Sequence, residues 1–467
     1  MDEVLHMASG AARELALFAA IGFLIGGLDD LLIDLLWMAR RLWRRLFGYR
    51  LHPPVTAATL PPPERPGWLA IFVPAWDEAE VIGRMLEAAL ARLEHPDYRI
   101  YVGCYPNDPE TQAEIAAVAK HDDRVRLVVG PHDGPTTKAD CLNSIWRALL
   151  IDETARGQRA KAIILHDAED VVHPQELKLF DRMIERHALV QIPVLPLLVP
   201  GSRWISGHYL DEFAEAHGKQ LVVREALGAS VPAAGVGCAF ERDMLERIAG
   251  GRAAGPFDAD SLTEDYELGL RISALGGSGT FVRMRVDGGV DGARGGLVAT
   301  RAYFPANLDA AVRQKSRWIT GIALLGWERL GWQGGPAESW MRMRDRRALL
   351  SALTLVVGYL TALIAALVLA ASAVTGRPIA PLTPLLVALL KINAAMLLWR
   401  VIVRGIFVAR AHGWREGLTS LPRTATANLI AIMATWRALV RYVTMNRSAS
   451  PRWDKTVHAF PDIKFTP

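Results

Sequence analysis

Between residue 68 and about residue 330 the chain repeats one pattern: a short apolar run of strand-like composition, then a polar or amphipathic stretch. The runs are LAIFVP (69–74), RIYVGC (99–104), VRLVVG (125–130), AIILHD (162–167) and LVQIPV (189–194). This alternation predicts βα units on a mainly parallel, Rossmann-like sheet, an α/β domain at 68–330. The flanks read differently. Within 11–38, an apolar stretch from Leu15 to Leu28 meets Asp29, Asp30 and Asp34, which predicts an N-terminal transmembrane or membrane-associated helix. No charge occurs from Ala348 through Gly376, so 348–376 is expected to span; 385–403 is expected to return despite Lys391. The mixed stretch 418–445, with Arg423, Arg437 and Arg441, reads as an interfacial helix.

The connecting segments fit this layout. Residues 39–67 join a basic block to a linker with six prolines between 53 and 66. A basic interfacial segment is expected at 331–347 and a cytoplasmic tail at 446–467. Net charge is only +4 and 51% of residues are hydrophobic, which does not call for nucleic acid. The arginines gather beside apolar stretches, at Arg40, Arg41, Arg44, Arg45 and Arg50, at Arg342, Arg344, Arg346 and Arg347, and at Arg400, Arg404 and Arg410. That suggests a membrane surface, with Arg347 and Arg404 inside and the α/β domain on the cytoplasmic side. Arg41 and Arg45 have an RxxxR spacing but no partner motif, and are taken as the same surface charge. Cys104, Cys141 and Cys238 lie far apart with no CxxC spacing, so reduced thiols are expected. The first apolar stretch lacks a basic leader and a clear cleavage site, and is expected to be retained. Its acids suit helix–helix hydrogen bonding better than transport.

Polar residues collect where the strands end. The first run leads to Trp76, Asp77 and Glu78, the second to Asn107 and Asp108, the third to GPHDGPTTKAD with Lys138, and the fourth to Asp167, Glu169 and Asp170. Carboxyl ends of parallel strands are where open α/β sheets bind ligands, and acids for a base and ribose plus one lysine for phosphate suit a nucleotide. Asp167 and Glu169 offer hard oxygen ligands to Mg²⁺ or Mn²⁺. Each piece also has a plainer use as a helix start, a turn or a surface lysine. Gln314, Arg317 and Trp318 form a QxxRW pattern at i, i+3 and i+4, which puts them on one helix face. There Arg317 can meet an anionic group and Trp318 can offer a flat apolar surface. An amphipathic helix with an aromatic anchor is the plainer reading, and Phe304, Trp327 and Trp332 support a membrane-facing region. Trp204 and His208 are weaker substrate-contact candidates than packing residues.

Taken in order, VPAWDEAEVI, GPTTKADCLN, HDAED, LTEDYELGLRI and RQKSRWITG resemble the inverting glycosyltransferases of family 2, built on a GT-A fold. The flanking segments are similar to membrane-bound, cellulose-synthase-like members. YPNDPET, HDAEDVVHP and WDKTVHAFP resemble the phage-adsorption protein B type of bacterial inner-membrane glycosyltransferase associated with exopolysaccharide secretion. The resemblance implies that Asp77 or Glu78 and Asp108 surround the uracil and ribose of a UDP-sugar. It puts Asp167 and Glu169 in the place of the metal-binding DxD pair, with Glu in the second position. Asp265 of Thr263-Glu264-Asp265 matches the catalytic base, which takes the proton of the attacking sugar hydroxyl. Glu264, Gln314, Arg317 and Trp318 are expected around the acceptor or diphosphate. Gly235 to Leu245 looks like the segment beneath the acceptor, its glycines Gly235 and Gly237 allowing close backbone approach.

The expected protein is a multi-pass enzyme of the bacterial inner membrane, dependent on Mg²⁺ or Mn²⁺. It would use a UDP-hexose or UDP-N-acetylhexosamine to extend, processively, a glycan passed outward. The alternatives are single-sugar transfer to a lipid, or a non-catalytic phage receptor or export scaffold with a degenerate transferase domain. Expected partners are the UDP-sugar, the growing glycan, membrane lipids, and a second copy or an export or outer-membrane protein.

Overall fold

The computed structural model describes residues 2–250, 255–286, 296–379, 381–445 and 458–461. At its centre is a seven-stranded sheet in the order β3-β2-β1-β4-β7-β5-β8. The strands are β1 (Leu69–Pro74), β2 (Tyr98–Cys104), β3 (Val125–Val129), β4 (Ala162–Leu165), β5 (Leu189–Gln191), β7 (Cys238–Glu241) and β8 (Gly279–Phe281). β1 pairs in parallel with β2 and β4, β2 with β3, and β5 with β8; β7 alone runs antiparallel, between β4 and β5. Helices cover both faces, which is why β1 is apolar throughout. Leu69, Ile71 and Val73 enter one core, whereas Ala70 and Phe72 enter the other.

The apolar run at 189–194 does not make one strand. Pro193 has no N–H to continue a ladder, and beyond it the chain leaves the main sheet as β6 (Val194–Leu197), paired in parallel with β9 (Thr300–Tyr303). The three cysteines are free and buried.

Among the described residues, three helices are long and apolar enough to cross a membrane, lying within His6–Leu51, Ala348–Thr375 and Pro384–His412. The first runs unbroken from Asp2 to Trp43, longer than the stretch expected at 11–38, because its acids and arginines end the apolar pattern without breaking the helix. It packs against both later helices. Asp29, Asp30 and Asp34 are ion-paired. Asp29 and Asp30 accept from Arg344 and Arg347, Asp30 also from Arg400, and Asp34 from Lys219 at 2.5 Å and Trp399 at 2.9 Å.

These pairs correct the expectation that the block at 342–347 is membrane-surface charge. Arg344 and Arg347 turn inward to the first helix and Arg342 bonds to Glu338 at 2.7 Å, because buried carboxylates recruit the nearest cations. Trp327 and Trp332, expected to face the membrane, remain exposed while flanking Arg346 at 5.6 and 4.5 Å. The amphipathic helix Trp414–Thr444 begins before the predicted 418. Its buried face, Ile430 and Ala434, packs on Tyr209, Ala311 and Val312, while Leu429, Met433, Trp436 and Val440 are exposed.

Candidate active site

β2, β1 and β4 are parallel neighbours, so the loops that follow them emerge side by side. After β1 the chain turns through Asp77, a non-glycine residue with φ of +53°. Its N–H donates to Asp108 Oδ2 at 2.6 Å, and the next N–H, of Glu78, donates to Thr111 Oγ1 at 3.0 Å. Asp108 also caps the helix Pro109–Ala119. Two of the expected nucleoside-binding acids are therefore joined by a hydrogen bond, with Asp77 exposed and Asp108 and Glu78 buried. Asn107 closes the next loop onto Gly134, accepting its N–H at 2.7 Å and donating to its carbonyl at 2.8 Å. Gly134 lies against Trp76 and Tyr105, whose rings meet edge to face at 5.2 Å.

After β4, the HDAED motif divides into support and display. His166 is fully buried between Asp170 at 3.0 Å and Glu176 at 2.8 Å, and Asp170 also accepts the Asp167 N–H at 3.0 Å. Asp170 is thereby a brace. Asp167 reaches Lys138, the first residue of the helix Lys138–Arg156, whose N-cap is Thr137. Burial pulls the Lys138 ammonium down, but Asp167, Glu264 and Asp265 together hold it above its ordinary value. One lysine thus feels both the DxD-like acid and the TED acids.

Glu169 Oε2 is buried without a hydrogen bond, and burial pushes this carboxyl up to about 8. The nearest cation is His458, at 3.4 Å, whose Nδ1 also lies 2.8 Å from Glu78 Oε1. His458 belongs to WDKTVHAFP, a motif noted in the sequence without a site role; 446–457 and 462–467 lie outside the described residues. The expected cytoplasmic tail therefore returns to the catalytic domain, anchored by Phe460 in the core beneath Arg84. Among the described residues no three His, Cys, Asp or Glu side chains already surround a common point. Even so, a buried Glu169 carboxylate oxygen that accepts no hydrogen bond, beside the Asp167 carboxylate, offers the hard oxygen donors that suit a divalent cation.

Asp265 is the second residue of the helix Glu264–Ala274 and accepts the Tyr266 N–H at 2.8 Å. Burial raises both acids, Glu264 to about 7 and Asp265 above its ordinary value, with Lys138 and Arg317 offsetting part of the rise. Gln314, Arg317 and Trp318 lie on the helix Leu308–Ile319. The chain just beyond it meets the TED segment, where Gly321 packs on Thr263. Gln314 Oε1, Arg317 Nε and Thr263 Oγ1 are all buried without a hydrogen-bond partner. Trp318 is half-buried with its edge toward Tyr209, so much of the surface expected for an acceptor is engaged by protein. Phe304 joins the same aromatic group. Trp204 is exposed and His208 is buried on Tyr209, and neither makes a hydrogen bond or ion pair with the motif residues.

A mainly parallel sheet with acids and one lysine at its carboxyl edge is the arrangement of a GT-A glycosyltransferase. Residues 66–321 match the family described as "Glycosyltransferase like family 2", and the chain belongs to that family. It is 38% identical over 470 residues to Bacteriophage adsorption protein B of Escherichia coli (strain K12), and equally to Bacteriophage N4 adsorption protein B of Escherichia coli O157:H7. These matches cover 97% of this chain, which spans about 62% of the length of those relatives. In fold it is similar to a mannosyltransferase from Pyrobaculum calidifontis solved with GDP-mannose and Mn²⁺. The TM-score is 0.53 at 15% identity, covering 92% of this chain and 99% of the other.

Proposed function

We propose that this protein is a membrane-bound, inverting glycosyltransferase that transfers sugar from a UDP-sugar at the cytoplasmic face of a bacterial inner membrane. The observation that supports the reading is Lys138, bonded to Asp167 and within the field of Glu264 and Asp265, which puts one partly buried cation between the acid that follows β4 and the TED acids. Asp77, Glu78 and Asp108 take the uracil and ribose. Asp167 and Glu169, with His458 beside them, would hold Mg²⁺ or Mn²⁺, which supplies positive charge to the diphosphate.

Asp265 accepts the proton of the acceptor hydroxyl as that oxygen bonds to the anomeric carbon and the bond to UDP breaks. Lys138 and Arg317 compensate the charge on departing UDP. Attack from the face opposite UDP inverts the carbon in one displacement.

Polymer extension is the favoured outcome, because Gln314 and Arg317 keep unsatisfied polar atoms on a helix seated on the amphipathic helix Trp414–Thr444. The sugar is a hexose or N-acetylhexosamine, and the polymer passes outward with a second copy or an export protein as partner. One observation favours a lipid acceptor instead: a cleft of about 850 Å³ lies between these two helices, lined by Leu308, Val312, Met433, Val440 and Arg437. The test is UDP release by membranes holding the protein, with Mg²⁺ or Mn²⁺, across a panel of UDP-sugars, beside Asp265→Asn. One sugar should support metal-dependent release that the variant loses, and product length separates polymer from lipid. Release by no sugar, or equal release by the variant, sinks the reading.

A further inference from the structure

Arg344 and Asp345 are consecutive residues of the helix Pro336–Arg346, and they bind in opposite directions. Arg344 donates to the carboxylates of Asp29 and Asp30 on the first membrane helix. Asp345 accepts from the Tyr266 hydroxyl at 2.7 Å and from Arg224 at 2.8 and 2.9 Å. Tyr266 directly follows Asp265 and gives that carboxylate its backbone N–H at 2.8 Å. The same helix reaches the other side of Asp265. Glu338 accepts both the N–H and the hydroxyl of Ser230 at 2.7 Å, in the segment that leads to Gly235, the residue packed against Asp265 Oδ2.

These contacts are short, and Tyr266 and Glu338 are buried at 6% and 8% exposure, while the Asp345 side chain is 20% exposed. A packed, hydrogen-bonded linkage of this kind passes a displacement on, because it has few alternative arrangements. We infer that Asp345 is a positioning residue: through Tyr266 it sets where the Asp265 carboxylate stands relative to the first membrane helix, which Arg344 grips. The inference rests on Asp265 being the base. It predicts that charge changes at Asp29 and Asp30, on the membrane helix rather than in the catalytic motifs, alter the chemical step.

The test uses the full chain in membranes. Tyr266→Phe and Asp345→Asn should each lower kcat about tenfold to a hundredfold, with the KM for donor within about twofold of wild type. The double variant should be no worse than the poorer single, because both break one linkage. Asp29→Asn combined with Asp30→Asn should lower kcat in the same direction, and hydrogen exchange over residues 264–270 should rise in every variant. Unchanged kcat, a change confined to KM, or additive losses in the double overturn the proposal. Tyr266→Phe removes only a hydroxyl, so it decides the matter if Asp345→Asn fails to fold. If the wild type releases no UDP, the transferase reading falls, while unchanged exchange over 264–270 would separately refute the linkage.

Discussion

Gly235 stands directly against Asp265: at φ of +77° it presents only hydrogen where a Cβ would collide with carboxylate Oδ2. Gly235→Ala must therefore displace the Asp265 carboxylate and adopt a left-handed backbone at a cost of about 1–2 kcal/mol. Thermal unfolding should show that modest loss, and donor turnover a much larger one. Full activity in a destabilised Gly235→Ala protein would mean that Asp265 is not held for catalysis by this contact.

A base must be ionised to work, and burial raises the Glu264–Asp265 pair against ionisation. Turnover should fall as pH drops through an apparent pKa clearly above the ordinary carboxylate value of about 4. The sign follows from the raised pKa: protonation comes at higher pH than in water. A kcat profile flat down to pH of about 5 would show the acids to be solvated when the donor is bound.

His458 touches both Glu78 and Glu169. Losing a partner that orients a metal ligand typically weakens metal affinity by about 10-fold to 100-fold. His458→Ala should raise the Mn²⁺ concentration needed for half-maximal UDP release on that scale. An unchanged metal titration would reduce the tail contact to packing by Phe460.

Arg423 of Trp414–Thr444 is fully buried, bonded to Asp211 at 2.6 and 3.0 Å and to Glu416 at 2.6 Å. Burial pushes Asp211 up to about 6 in spite of Arg423, so the pair itself adds little stability. Removing one partner is different. Asp211→Ala leaves the buried Arg423 with Glu416 as its remaining carboxylate and should destabilise by less than the about 3–5 kcal/mol of a fully stranded ion, whereas Asp211→Leu with Arg423→Met should recover part of the loss. Denaturation of the two variants in detergent distinguishes these outcomes.

The strands around the site were legible from local pattern, because a strand buried on both faces must be apolar at nearly every position. β1, β2, β3 and β4 fall within the runs read from the sequence, apart from one residue at the start of β2. The run through Pro193 misled, since composition does not say where a ladder loses its N–H. Each motif acid was visible as a residue. Its job was not: Asp170 and Asp167 look alike in HDAED, yet one braces His166 and the other meets Lys138.

What the sequence alone determined is which residues prefer water, which prefer a core or a bilayer, and which chemical groups follow each strand, for these depend on side chains and near neighbours. Which cation answers which carboxylate was decided only by the tertiary structure. Arg344 meets Asp29 and Asp30, His458 meets Glu78 and Glu169, and Asp345 meets Tyr266, across 79 to 380 positions of chain. Many chemically equivalent arginines, lysines and acids were available to each. The choice among them belongs to packing, which alone fixes which charges are buried together and must be satisfied there.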